Sequence, residues 1–348
     1  MSTRITNNMT VRNYLNGMRS NLGNLSRSNQ KLTTQRAFNK ASENVPNAAQ
    51  ALRIRKMLNT NERNIASAEA LTNRLDTAET SLRSLSGIYD SMNDLVLHGM
   101  NGTLSSHDRE ILANEVEKLR DQALSVANAK YGDQYLFASA GNAGDAAPFA
   151  VGSDGLLRFN GNPAPIDDMF TDANGKVAYD DAGVVTEIAY NGKNYLDIGL
   201  GLTVTGDGAG MTLDTRSVVQ SSLSGIEIFG YGTDEFGLPN NFFGLFDRIA
   251  ADINGNNAEA LGNELKALSN GHSRLLVAIA EVGSNTTFAE KITTQLDNDR
   301  LSLQELQNSL ESVDLAEEIM HNSEFEMAWT VTLQLGSRIL PKTIFDFL

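Results

Sequence analysis

The sequence predicts an α+β protein, in which the N- and C-terminal segments form a long antiparallel α-helical coiled-coil rod and carry an inserted small β domain. Apolar residues recur in steps of three and four in both outer regions, whereas Gly, Asp, Val and Tyr concentrate between residues 141 and 239. Seven-residue periodicity is typical of coiled coils. Gly-rich turns between short apolar runs are typical of β-hairpins. These two patterns, and the return of the first one near residue 240, give the fold class.

The N-terminal region carries three heptad runs, at residues 11–32, 68–96 and 112–126. Proline is tolerated in the first turn of a helix, so Pro46 allows the second run to begin there. A helix over residues 46–98 would be about 80 Å long at 1.5 Å per residue. The third helix is expected to begin at Ser105 or Ser106, because each can cap a helix whose first turn is acidic.

The C-terminal region repeats the pattern at residues 261–282 and 289–313. Narrow apolar stripes cannot stay exposed along helices of this length, so the N- and C-terminal helices are expected to lie side by side. Asn29 and Asp299 interrupt the stripes. Such polar residues either fix the register of a coiled coil or mark places where the stripe is open to solvent.

The middle region reads as strands. Residues 148–159 form one hairpin signal around a Gly-Ser-Asp-Gly turn, and residues 184–198 form a second around Asn191-Gly192. Residues 200–205 and 226–229 are predicted as further short strands.

We therefore predict three domains. Residues 1–45 with 311–348 form a terminal helical assembly domain, residues 46–140 with 240–310 form a helical rod domain, and residues 141–239 form the β-rich insertion.

Residue types that commonly act in catalysis or bind metal ions are scarce in this sequence. Cysteine is absent and there are four histidines, of which His272 occupies a heptad position typical of helix packing. The acidic pairs at 167–168 and 180–181 lack the ligand spacing of a calcium loop and are expected to be solvated turns. We predict no catalytic, cofactor-binding or metal-binding residue. A net charge of −15 counts against nucleic acid and anionic membranes as partners.

Several segments carry a resemblance to a known family. Residues 101–105 (NGTLS), 108–124 and 127–138, which end in YLFA, resemble the helical domain of the hook-associated flagellin family. Residues 314–348, from DLAEEIM through GSRILP to DFL, are similar to the closing helix of its junction subunit, and residues 4–9 (RITNNM) resemble its usual start. The ordered set covers roughly the outer two-thirds of the chain.

The sequence also departs from that family. Residues 32–36 (LTTQR) lack the glycine of its usual turn after the first helix, and residues 42–46 (SENVP) replace its Ser-Asp-Asp-Pro element. Asn93 is uncharged where immune-stimulating flagellins carry an arginine, which counts against recognition by that innate receptor.

The resemblance implies a structural, non-enzymatic subunit of the bacterial flagellum that joins hook to filament and self-associates in a ring. The implied partners are hook-associated protein 1, flagellin and a flagellar export chaperone that covers the C-terminal helix, with no nucleic acid and no membrane. The implied location is extracellular, in the flagellum. Because residues 1–9 lack the apolar run of a secretory signal, export is expected to proceed without a cleavable signal peptide.

Other functions stay open. The chain could be the filament flagellin itself, although its YLFA segment and its C-terminal tail favour the junction subunit. Long paired helices also occur in spectrin-like or tethering proteins. An enzyme or adhesin with a carbohydrate or metal site in the β domain would use aromatic residues that are equally suited to a core, namely Tyr179, Tyr190, Tyr195, Phe229 and Tyr231.

The candidate site is the seam through which the terminal helices assemble. Both terminal segments have few apolar partners within one chain, and isolated helices are marginal in water, so we expect them to be mobile in the monomer and to order on assembly. The seam residues are Val11, Leu15, Met18, Leu22, Leu25, Leu32, Leu303, Leu306, Leu310, Val313, Ile319, Met320, Met327 and Leu335.

Overall fold

The protein is described by a computed structural model that covers residues 7–138, 146–172, 176–181, 184–187, 195–196, 204–205, 212–213, 219–220 and 223–339. The chain divides into two compact units: the first combines residues 1–62 with 297–348, and the second comprises residues 63–296. The boundary between the units falls inside two long helices. The helices are α1 (Asn7–Thr34), α2 (Val45–Gly99), α3 (Ser106–Ala127), α4 (Gly225–Phe229), α5 (Phe242–Gly255), α6 (Ala258–Glu311) and α7 (Leu315–Ile339).

The predicted α+β class is confirmed. Long helices from both ends of the chain pack together, and small antiparallel sheets lie between them in the sequence. The described strands are β1 (Lys130–Tyr131), β2 (Gln134–Tyr135), β3 (Phe149–Val151), β4 (Leu157–Phe159), β5 (Phe170–Thr171), β6 (Val177–Asp181), β7 (Val184–Glu187), β8 (Tyr195–Leu196), β9 (Val204–Thr205), β10 (Thr212–Leu213) and β11 (Val219–Gln220).

The core of the second unit forms along the predicted stripe of α2. Every heptad residue of the run 68–96 is buried. These residues share one hydrophobic cluster with residues of α3, α5 and α6. His272 packs as predicted: its ring stacks on Tyr89 at 5.6 Å, and its Nε2 lies 2.8 Å from the Ser86 hydroxyl. Ser105 caps α3, because its hydroxyl accepts from the Asp108 backbone N–H while the Asp108 carboxylate accepts from the Ser105 backbone N–H.

The inserted region joins this core through aromatic rings. Phe149, Phe229 and Phe242 contact one another in series, with ring centres 5.2 and 5.6 Å apart. The predicted hairpin at residues 148–159 is present as β3 paired with β4.

Two strand predictions need correction. Residues 226–229 are not a strand but the core of α4, because Ile226 and Phe229 are spaced to bury one face of a single helical turn. The second predicted hairpin also differs, since β7 pairs with β6 and β8 pairs with β11. Its turn at Asn191-Gly192 lies outside the described residues.

Candidate assembly surface

The first unit is built on α1 and α7, which pack against each other in antiparallel directions. Near one end, the Tyr14 hydroxyl donates to the Thr332 carbonyl oxygen at 3.0 Å. Near the other end, the Lys31 ammonium lies 3.1 Å from the Glu318 carboxylate. The two contacts fix the register of the pair.

Polar and small side chains fill much of the interface between the two helices. The Asn322 amide donates to the Ser28 hydroxyl at 3.2 Å and to the Asn29 side-chain oxygen at 2.9 Å. Near the other end, Gly336 is buried directly against the Tyr14 hydroxyl, so the helices approach closely there. Asn29 thus makes a specific contact, whereas Asp299 is exposed.

The predicted seam residues of α1 differ in how far they are covered by α7. The predicted seam residues Leu15 and Leu22 are 39% and 49% exposed, while the contact with α7 uses Tyr14 and Asn21 one position earlier. The remaining predicted seam residues of α1 are half-buried: Val11, Met18, Leu25 and Leu32.

The predicted seam residues near the C-terminus are also incompletely covered. Leu303, Leu310 and Val313 are half-buried, and Leu306 is exposed. On α7 the predicted residues are more exposed than on α1, reaching 71% at Met327; the set comprises Ile319, Met320, Met327 and Leu335.

Sequence reasoning missed some exposed apolar residues of the same unit. On α7 Leu333 is exposed, two positions after Val331, which is also exposed. Met9, Leu301 and Leu315 are exposed in the same way.

An ion-paired clasp holds the start of α2 against the end of α6 within this unit. The Arg55 guanidinium donates to both carboxylate oxygens of Glu311, at 2.7 and 2.8 Å. Burial alone would raise the pKa of Glu311, but the hydrogen bonds from Arg55 and Gln307 outweigh it and hold that pKa below its usual value. Backbone bonds from Ala37 N–H to the Glu311 carbonyl and from Val313 N–H to the Gln35 carbonyl tie the loop after α1 to the same place.

The described residues offer little for catalysis or metal binding. Among them, no group of three or more His, Cys, Asp or Glu side chains is arranged to hold a metal ion. Asp167 is not a simple solvated turn, since it accepts from the Asn241 side chain at the start of α5, and burial raises its pKa to about 6. Phe229, one of the aromatic candidates for a sugar site, is buried in the core. Within the described ranges, no helix has the length and apolar character needed to span a membrane.

The comparisons with known proteins agree with the sequence resemblance. Residues 5–142 match the family of the bacterial flagellin N-terminal helical region. The chain is 24% identical over 153 residues to flagellar hook-associated protein 3 from Salmonella typhimurium, a match that covers 44% of this chain and 48% of that protein. It is 27% identical over 124 residues to a flagellin from Clostridium tyrobutyricum, covering 36% of this chain and 33% of that one.

The fold is also that of a solved flagellar protein. A structure described as a flagellar hook-associated protein from Vibrio parahaemolyticus aligns with a TM-score of 0.56 and 19% identity, over 78% of this chain and all of that one. The matched segment spans about half the length or less of the curated relatives. The recognition made from the sequence is confirmed by these matches.

Proposed function

We propose that this chain, which is related to flagellar hook-associated protein 3, is a structural subunit of the bacterial flagellum that joins hook to filament. One observation carries the proposal. The same heptad pattern is buried in the second unit, whereas in the first unit many of its residues remain exposed on α1 and α7.

Exposed stripes of this kind favour assembly. Burying a Leu or Met side chain contributes about 1.5–3 kcal/mol, so covering several half-exposed residues offers a substantial driving force for association. A large exposed apolar surface on a soluble protein usually marks an interaction site. A net charge of −15 keeps separate copies apart until such surfaces meet.

The partners that this role requires are other axial proteins and further copies of the chain. We infer self-association in a ring, contact with hook-associated protein 1 on one side and flagellin on the other, and an export chaperone that covers α7 before assembly. The location is then extracellular, in the flagellum. The role is structural and needs no catalytic residue.

The match to a flagellin keeps one alternative in view, which is that the chain forms the filament itself. Purified protein distinguishes the two functions. Long filaments that grow from this chain alone would favour flagellin, whereas a chain that adds to hooks but does not polymerise alone would favour the junction subunit.

Deletion of the gene tests the proposed function directly. Cells without it are expected to retain hooks and to release flagellin into the medium, and a plasmid-borne copy is expected to restore filaments. Attached filaments of normal length in the deletion strain would contradict the proposal. Hydrogen exchange on the purified monomer adds a second test, because we expect faster exchange in α1 and α7 than in the buried part of α2.

A further inference from the structure

An exposed basic stripe follows one face of α1. Arg12, Leu15 and Arg19 are spaced by three and four residues, so they lie in a row on the helix surface, and all three are exposed. We call them the basic stripe. The whole of α1 contains four basic residues, Arg12, Arg19, Arg27 and Lys31, and no Asp or Glu.

An exposed acidic stripe follows one face of α7. Glu317, Met320 and Glu324 repeat the same three- and four-residue spacing, and all three are exposed. We call them the acidic stripe. His321 lies between the carboxylates, with Nε2 3.6 Å from Glu317 and Nδ1 3.4 Å from Glu324.

The two stripes do not meet within one copy. The contact between α1 and α7 uses other residues, including Tyr14 with Thr332 and Lys31 with Glu318. Within the described part of the chain, Arg12 and Arg19 form no ion pair. The basic stripe therefore presents unpaired charge, and among the described residues the two carboxylates of the acidic stripe have only His321 beside them. Each stripe also carries one exposed apolar side chain.

The stripes match each other in length, charge and pattern. The charged residues of each stripe are seven positions apart, about 10.5 Å along a helix. Each stripe has a single long apolar side chain between its charges, Leu15 in one and Met320 in the other. Opposite charges placed on two surfaces select the partner and its register more than they add affinity.

We propose that the basic stripe of one copy docks on the acidic stripe of a second copy, with Leu15 packed against Met320. This proposal rests on the proposed function and specifies the contact through which copies assemble. If two copies point the same way, α1 of one copy runs antiparallel to α7 of the other. Arg12 then pairs with Glu324, and Arg19 pairs with Glu317.

Such a contact joins two different surfaces, so every copy retains one free stripe for the next neighbour. Interfaces of this heterologous kind generate rings when the rotation between copies closes, and open helical arrays when it does not. The contact therefore supports self-association of the chain, with each copy offset from the next by about eleven residues along the helices, or about 16 Å.

Charge reversal tests the contact in the deletion strain. The first variant carries Arg12→Glu with Arg19→Glu, and the second carries Glu317→Arg with Glu324→Arg. Each variant alone places like charges on both stripes, so each is expected to lose most filaments. Expressed together they restore complementarity in an alternating assembly, so filaments are expected to return towards the wild-type number.

A matched control separates this contact from a general effect of charge. Arg27→Glu with Arg53→Glu changes the net charge by the same amount as the first variant at exposed positions outside the stripe, and it is expected to restore filaments. Immunoblots of the medium and circular dichroism of the purified variants report secretion and folding. Filaments from either stripe variant alone, or none from the mixture, would overturn the docking contact.

Cross-linking gives a test that does not depend on charge. The chain has no cysteine, so Leu15→Cys on one copy and Met320→Cys on another can form a disulfide only between copies. Oxidised flagella from cells that express both are expected to yield the mixed dimer, whereas Met57→Cys, exposed on α2, paired with Met320→Cys is not. Absence of the mixed dimer would reject the contact. A wild-type gene that fails to restore filaments would instead reject the proposed function.

Discussion

Replacing Glu264 by glutamine is expected to stabilise the second unit above neutral pH. The Glu264 side chain on α6 is completely buried, and neither carboxyl oxygen accepts a hydrogen bond from the described residues. Its nearest cation is the Arg248 guanidinium, whose Nε lies 3.6 Å away. Burial raises the pKa of Glu264 to about 8, and the neighbouring Asp252 carboxylate acts in the same direction.

The sign and size of the effect follow from the two pKa values. The unfolded chain ionises Glu264 near its ordinary pKa of 4.5, whereas the folded chain holds the proton until about pH 8. Between these values the folded protein loses about 1.4 kcal/mol of stability for each pH unit. The cost therefore reaches about 5 kcal/mol above pH 8 and is nearly absent below pH 4.5. Glutamine is neutral in both states and avoids it.

Denaturant-dependent hydrogen exchange of α5 measures this difference, because α5 lies in the second unit beside Glu264. Glu264→Gln is expected to raise the free energy of opening by about 3–5 kcal/mol at pH 8.5 and by less than about 1 kcal/mol at pH 5. Glu290→Gln serves as the control, since Glu290 is exposed on the same helix. An equal effect of Glu264→Gln at both pH values, or a loss of stability at pH 8.5, would refute the reasoning.

Three further predictions concern packing, the clasp and assembly. Gly225→Ala would overlap a backbone carbonyl oxygen and a phenylalanine ring, so it is expected to lower the free energy of unfolding by about 1–3 kcal/mol in thermal unfolding. The methyl group of Gly87→Ala meets nothing within 4 Å, so this change is expected to raise the free energy of unfolding by about 0.5–1 kcal/mol. The reverse order of the two variants would contradict the packing. Because the folded pKa of Glu311 is lowered, its stabilising contribution is present above its unfolded pKa and is lost as the pH falls. Glu311→Gln, which weakens the bonds from Arg55, is therefore expected to cost about 1–2 kcal/mol at pH 7 and less at pH 3 in urea unfolding followed by tryptophan fluorescence; a cost that does not change with pH would exclude the ion pair as its cause. Leu22→Ala is expected to change the free energy of unfolding by less than about 1 kcal/mol, because Leu22 is half-exposed, but to reduce filament number in the complemented strain; normal filaments would argue against a role in assembly.

The sequence was most informative where the chain completes its own core. Every residue of the heptad run at residues 68–96 is buried in α2, because each packs against helices of the same chain, and Ile88 is buried there in addition. The hairpin formed by β3 and β4 was equally predictable, since a Gly-Ser-Asp-Gly turn separates Phe149–Val151 from Leu157–Phe159.

The sequence predicted less where a neighbouring helix decides which face of a helix is buried. In α1 the apolar periodicity favoured Leu15 and Leu22, yet α7 presents the carbonyl oxygen and the hydroxyl of Thr332 to that helix, and Tyr14 and Asn21 donate to them. Residues 226–229 were assigned to a strand because a short apolar run fits either structure. Only the surrounding aromatic rings decide for the helix.

The difference between the two units gives the assembly proposal its physical basis. In the second unit, helix propensity, heptad spacing and burial agree, so that part of the chain can be stable before it meets any partner. In the first unit, Leu22, Met320 and Met327 stay exposed on helices that pair partly through polar contacts, so folding of one chain leaves apolar surface uncovered. A subunit that must be delivered singly and then fixed in place needs this combination, since assembly can only be driven by stabilisation that the monomer lacks.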